Sequence, residues 1–161
     1  MKNLYLLRHA DAEYASPSQP DMNRALSQQG IKEAQWMGHI IQKKINIDAI
    51  LSSTAQRAKE TSEIVSNIIS YDIHSILWDK ELYLAKPEII ESKIIKIESS
   101  IQSLLVVCHN PGLSYFASSL NISSPYLLPT CGLVSFKIDI TSWEDFPFAF
   151  KEFVSFEYPH S

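Results

Sequence analysis

Cysteine is scarce in this chain, with only Cys108 and Cys131 among 161 residues. Two thiols are too few for a disulfide framework, and they lack the paired spacing of a metal-ligand set. Both are therefore read as reduced, buried side chains. Glycine is almost as rare, at four residues, and no Gly-Lys-Ser/Thr phosphate loop occurs, which disfavours a P-loop nucleotide enzyme. Long apolar runs are missing too. No segment approaches the ~20 apolar residues of a membrane span. Only Leu4 to Leu7 separate the Met1-Lys2-Asn3 start from Arg8, too short a run for a secretory core of roughly 7–15 residues, so a cytosolic protein is expected. Strong charge of either sign is absent, the net charge being −4. That balance argues against a general nucleic-acid or anionic-membrane surface while leaving room for a local cationic pocket.

What is present is ordinary globular composition, 45% hydrophobic and 20% charged, in a length that suits one domain. Strand and helix patterns alternate without an internal repeat or long linker, which predicts an α/β architecture. The reading places strands at Leu4–Leu7, Ile47–Leu51, Ile73–Trp78, Leu104–Cys108 and Leu133–Ile140, with a last one within Phe146–Tyr158. Helices are expected over residues 28–44 with Ser27 as N-cap, over 55–70 with Thr54 as cap, over 87–100 opened by Pro87, and from Pro111-Gly112 to about Leu120. Ile31, Ala34, Gly38, Ile41 and Ile45 form the apolar stripe expected of the first helix. The polar segment from Asp11 to Ser27, long and bearing Pro17 and Pro20, reads as a functional rim.

The chemistry lies just past the strands. Arg8-His9 follows the first, Arg57 opens the helix after the second, and His109 follows the strongest buried run, Leu104-Leu105-Val106-Val107-Cys108. In open α/β sheets, loops at the carboxyl ends of strands converge on a ligand. If these strands are parallel neighbours, two histidines and two arginines face one anionic pocket. Guanidinium forks and a helix N-terminus suit a phosphoryl group. Taken singly, each residue has a plainer reading: Arg8-His9 as a surface dipeptide, Arg57 as a helix-surface cation paired with Glu60 or Glu63, His109 as a structural histidine. The coincidence of all four at equivalent topological positions favours the pocket. His39, His74 and His160 lack this context.

Four ordered segments carry a resemblance: Leu6-Leu7-Arg8-His9-Ala10-Asp11-Ala12, Arg24-Ala25-Leu26-Ser27-Gln28-Gln29-Gly30, Leu51 to Thr61 around Arg57, and Val107-Cys108-His109-Asn110-Pro111. Together they resemble the signature of the histidine phosphatase superfamily, and in length and Arg-His-Ala-Asp-Ala form they are most similar to its small phosphohistidine phosphatases. The departures are Ala10, where Gly is commoner, Ala25, where many relatives carry Pro, and Ala15, where mutase relatives have Asn. The resemblance implies a single three-layer α/β domain, phosphoglycerate mutase-like, with a mostly parallel sheet and helices on both faces. It also implies that His9 is the nucleophile, forming an N-phosphohistidine that water hydrolyses, and that Arg8, Arg57 and a protonated His109 bind the phosphoryl group. Glu81, in Asp79-Lys80-Glu81-Leu82, lies where the family's acid often occurs, and Asp11 is the weaker candidate.

The implied partner is a phosphohistidine-bearing phosphocarrier protein, with phosphate, vanadate or tungstate as pocket ligands. A monomer using no metal or other cofactor is expected. Alternatives remain a small-molecule phosphomonoesterase of the same superfamily and a non-catalytic phosphate- or phosphoprotein-binding module. A cysteine-dependent phosphatase is disfavoured, because Ser114 and Lys137 stand where its arginine would follow Cys108 or Cys131. The aromatic stretch Trp143 to Tyr158 reads as core or edge-strand packing, with partner docking as the alternative.

Overall fold

A computed structural model describes residues 1–160. The chain forms β1 (Lys2–Arg8), α1 (Gln28–Lys44), β2 (Ala49–Ser53), α2 (Gln56–Ile69), β3 (Leu77–Asp79), α3 (Pro87–Ile94), β4 (Ser103–Cys108), α4 (Gly112–Leu120), β5 (Leu133–Ile138) and β6 (Lys151–Glu157). One six-stranded sheet runs in the order β3-β2-β4-β1-β5-β6. The strands β3, β2, β4 and β1 are parallel, while β5 pairs antiparallel with β1 and β6 antiparallel with β5. The fold is thus the single α/β domain expected, with a mostly parallel sheet. No helix among the described residues is long and apolar enough to cross a membrane.

Period-two alternation divides the core between the two faces of the sheet. Leu105 and Val107 of β4 pack with Ala34, Met37 and Ile41 of α1 and Ala58 and Val65 of α2. The alternate residues Leu104, Val106 and Cys108 pack with Ile90 and Ile94 of α3 and Phe116 of α4. Strands covered on both sides must be apolar throughout, which is why β4 reads as an unbroken hydrophobic run. Both cysteines are free and buried, as expected.

Several boundaries differ from the sequence reading, each for a local reason. Ser27 caps α1 by accepting from the Gly30 amide at 3.0 Å, but Ile31 faces water, 40% exposed, and Met37 takes an inward place. Thr54 does not cap α2. The N-cap is Ala55, without a side-chain bond, and its amide donates to Ser53 Oγ at 3.2 Å. The strand expected over 73–78 shrinks because Asp72 accepts from the His74 amide at 2.9 Å and holds Ile73–Ser75 in a 3₁₀ turn, a local bond that competes with a sheet ladder. Helix α3 ends at Ile94, short of residue 100. The aromatic stretch divides: Trp143 and Phe146 are fully buried on a 3₁₀ segment, Phe148 and Phe150 are exposed, and β6 forms the edge strand, with Phe153 edge-on to Phe136.

Gly112 governs how closely two segments approach. A Cβ there would stand 1.8 Å from the Ala85 carbonyl oxygen, so α4 starts only because this residue lets the loop of residues 83–86 press against it. Gly112→Ala should lower stability by about 1–3 kcal/mol, as overpacking against backbone does. Thermal denaturation checks it, and an unchanged midpoint would mean the loop is free to retreat.

Candidate active site

The order β2-β4-β1 makes the three strands named from sequence contiguous parallel neighbours, so their carboxyl ends open side by side. There Arg8, His9, Arg57 and His109 line one cleft of about 350 Å³, together with Asp11, Asp21, Arg24 and Leu84. The four residues that the sequence places together meet in one cleft.

Ladder bonds continue past the end of β1 and fix His9 in place. Its amide donates to the Cys108 carbonyl at 3.2 Å, and its carbonyl accepts from the Cys131 amide at 3.0 Å. In the ring, Nδ1 lies 2.7 Å from the Ala10 carbonyl oxygen. A carbonyl cannot donate, so Nδ1 carries the proton and Nε2 keeps its lone pair, the tautomer a nucleophile requires. The Ala10 amide in turn donates to Thr61 Oγ1 at 3.0 Å, and Thr61 Oγ1 donates to the Arg57 carbonyl at 2.7 Å. One buried hydroxyl therefore joins the His9 turn to the helix that carries Arg57.

His109, 1% exposed, packs 5.1 Å from His9 between ring centroids. Its Nε2 is 2.7 Å from Ser53 Oγ, while its Nδ1 is buried without a partner among the described residues. Burial pushes the His9 imidazole down to about 4, reinforced by Arg57, Arg8 and Arg24 against the opposing Ala10 bond. Burial likewise pushes His109 down to about 3, reinforced by His9 and Arg57. The resemblance implies a protonated His109, whereas its surroundings favour the neutral ring. Two arginines and a second imidazole stand near it, and no carboxylate among the described residues touches it. A phosphoryl dianion held there would oppose that shift and favour the imidazolium.

A titration should show this directly. Protonation is disfavoured in the folded cleft, so both rings stay neutral as pH falls through the ordinary histidine range. In nitrogen-detected imidazole spectra of the free protein the two midpoints should lie near 4 and 3. Adding vanadate should raise the His109 midpoint. Midpoints near the ordinary histidine value of 6.5 would remove the argument for a neutral nucleophile.

The arginines are held differently from one another. Arg8 donates from Nη1 to the Leu128 carbonyl at 3.0 Å, and its buried Nε has no partner among the described residues. Arg57, 3% exposed, pairs with neither Glu60 nor Glu63. Its Nη1 donates to the Asp21 carbonyl at 2.8 Å and its Nη2 to Asp21 Oδ2 at 3.0 Å. Asp21 also accepts from Arg24 Nη1 at 3.0 Å and from the Tyr83 hydroxyl. The Tyr83 bond, followed by those of Arg24 and Arg57, holds this carboxyl far below the usual range. It is a fixed anion with no proton to give.

Asp21, Arg24 and Tyr83 are not singled out as site residues by the sequence. Arg24 stands inside one of the four motifs and Asp21 inside the segment read as a rim, which are the signals available for them. Tyr83 has none. The structure does not bring Glu81 to the cleft: its carboxylate lies 3.3 Å from Lys93 Nζ and is largely exposed. Asp11 does line the cleft, its Oδ2 accepting from Ser27 Oγ at 2.6 Å. The arrangement is chemically a phosphoryl cradle, with two guanidiniums and an unpartnered imidazole nitrogen surrounding an imidazole whose Nε2 is free.

Residues 4–79 match the model of the histidine phosphatase superfamily (branch 1). The uncharacterized protein Rv1276c of Mycobacterium tuberculosis (strain ATCC 25618 / H37Rv) is 31% identical over 112 residues, 69% of this chain and 67% of its own length. Among solved structures, one described as a candidate phosphohistidine phosphatase, SixA from Agrobacterium tumefaciens, superposes with TM-score 0.83 and 28% identity over 99% of both chains. The protein histidine phosphatase SixA complexed with tungstate superposes with TM-score 0.82 and 22% identity, covering 97% of this chain and 96% of that one. The shared fold and the matching motifs agree with the geometry of the cleft: the chain belongs to the histidine phosphatase superfamily.

Proposed function

We propose that this protein is a phosphohistidine phosphatase acting on a phosphocarrier protein. His9 Nε2 attacks phosphorus, the bond from phosphorus to the substrate's imidazole nitrogen breaks, and its electron pair stays on that nitrogen. The substrate leaves as neutral imidazole when its other ring nitrogen is already protonated, and otherwise takes a proton from solvent. Water then attacks the phosphoryl group on His9, yielding inorganic phosphate and the free imidazole. Arg8, Arg57 and His109 neutralise charge on the transferring group, where positioning and electrostatics supply most of the acceleration.

The observation that carries the substrate class is the state of the acids near the cleft. Asp21 is held ionised, Glu81 is paired with Lys93 outside the cleft, and Asp11 is bonded to the α1 cap. Imidazole is a far better leaving group than an alkoxide and departs with little help from an acid. The likeness to candidate phosphohistidine phosphatases supports the same class.

The test compares kcat/KM for a histidine-phosphorylated phosphocarrier domain with values for alkyl, sugar and aryl phosphates, adding vanadate or tungstate as competitive inhibitors. The phosphoprotein should be preferred. Higher kcat/KM for a small ester moves the assignment to a small-molecule phosphatase, and phosphate bound without turnover would make the protein a binding module.

A further inference from the structure

Leu84 occupies a place for which leucine is poorly suited on two counts. Its φ is 49°, in the left-handed region that favours glycine or asparagine. Its side chain is 51% exposed at the mouth of the cleft it lines, although Leu82 and Ala85 nearby are buried. The loop is held on both flanks, so this posture is not slack. The Tyr83 hydroxyl donates to Asp21, and the Ala85 carbonyl presses against Gly112, where a Cβ would stand only 1.8 Å away. An aliphatic side chain kept in an unfavourable backbone conformation and turned to water at a ligand site marks a contact made when the ligand arrives.

We infer that Leu84 is a specificity-determining residue that packs against the leaving group and the apolar protein surface around it. The inference rests on the phosphohistidine reading and deepens it. Cations at the floor of the cleft hold the phosphoryl oxygens, so the leaving group points outward through the mouth. There a sugar or glycerate sets hydroxyls or a carboxylate against leucine, which leaves their polar groups unpaired. An imidazole ring projecting from a protein surface presents apolar ring faces to that side chain.

The decisive variant is Leu84→Gly, which removes the side chain and relieves the positive φ together, with Leu84→Met as the conservative partner. Three probes separate the possibilities: a phosphocarrier domain carrying labelled phosphate on histidine, phosphoramidate as an N–P substrate with no leaving-group body, and vanadate. Leu84→Gly should lose about tenfold or more in kcat/KM on the labelled domain, mainly through KM, as withdrawal of one apolar contact does. Phosphoramidate turnover and vanadate inhibition should hold, the thermal midpoint should not fall, and Leu84→Met should keep the domain reaction near wild type. Unchanged turnover of the labelled domain by Leu84→Gly overturns the inference. So does a parallel fall on phosphoramidate and vanadate, which would mean that the side chain only shapes the cleft. Failure of the phosphohistidine reading shows separately, as wild-type protein that does not release phosphate from the labelled domain.

Discussion

His9→Ala should abolish turnover and leave the fold intact. The ring lies at the open end of β1, and the bonds that hold this turn are made by backbone groups that alanine retains: its amide to Cys108, its carbonyl to Cys131, and the Ala10 amide to Thr61. Circular dichroism and the thermal midpoint should therefore stay near wild type while phosphate release disappears. Rapid acid-avoiding quench of wild type with labelled substrate should leave a label on His9 that is stable to base and lost in acid, as a phosphoramidate behaves. The other nucleophilic side chains nearby are less available. His109 directs Nε2 to Ser53, and both cysteines are buried thiols, burial pushing Cys108 up to about 12 and Cys131 higher still. A label on serine, cysteine or a carboxylate would discard the mechanism.

The second large effect is expected at Arg57. Arg57→Ala should cost on the order of 10²-fold or more in kcat/KM, the scale for losing a partner of transition-state charge. Arg8→Ala and His109→Ala should follow in the same direction. Arg57 differs from them in its coupling, since its guanidinium is the buried partner of Asp21. Removing it strips a carboxylate of one cation and leaves that anion beside the phosphoryl site, so vanadate should bind more weakly than loss of one positive contact alone accounts for. The double variant Arg57→Ala with Asp21→Asn should recover part of the vanadate affinity. Near-normal activity in Arg57→Ala would remove this residue from the site and with it the topological argument.

The four residues legible in the sequence share one property. Each stands at a fixed offset from a strand or at a helix start, so periodicity and chain order place it once the strands are taken as parallel neighbours. Asp21, Arg24 and Tyr83 have no such anchor. They come from connecting loops whose paths are set by side-chain bonds to one another, and no pattern in the chain encodes that Tyr83 reaches Asp21 across 62 positions. Glu81 rests on the family resemblance alone, and the structure pairs it with Lys93 instead. His109 is pushed toward its neutral form, away from the imidazolium the resemblance implies, because burial and the nearby cations are not offset by a touching carboxylate among the described residues. Boundaries shift where a local bond outcompetes regular structure, as at Asp72, or where one inward position is exchanged for another, as between Ile31 and Met37.

The hydroxyl of Thr61 has a dynamic consequence. Turns at the ends of strands are ordinarily among the first segments of a protein to open. Here the Ala10 amide is donated to a fully buried side chain of α2 that is itself bonded to the Arg57 carbonyl. Exposing that amide requires breaking its bond to α2, so its hydrogen exchange should be slow, as in the core helix. The His9 turn and the helix bearing Arg57 should then open as one cooperative unit. With the core intact, the imidazole and the guanidinium would then be in register before a substrate is met.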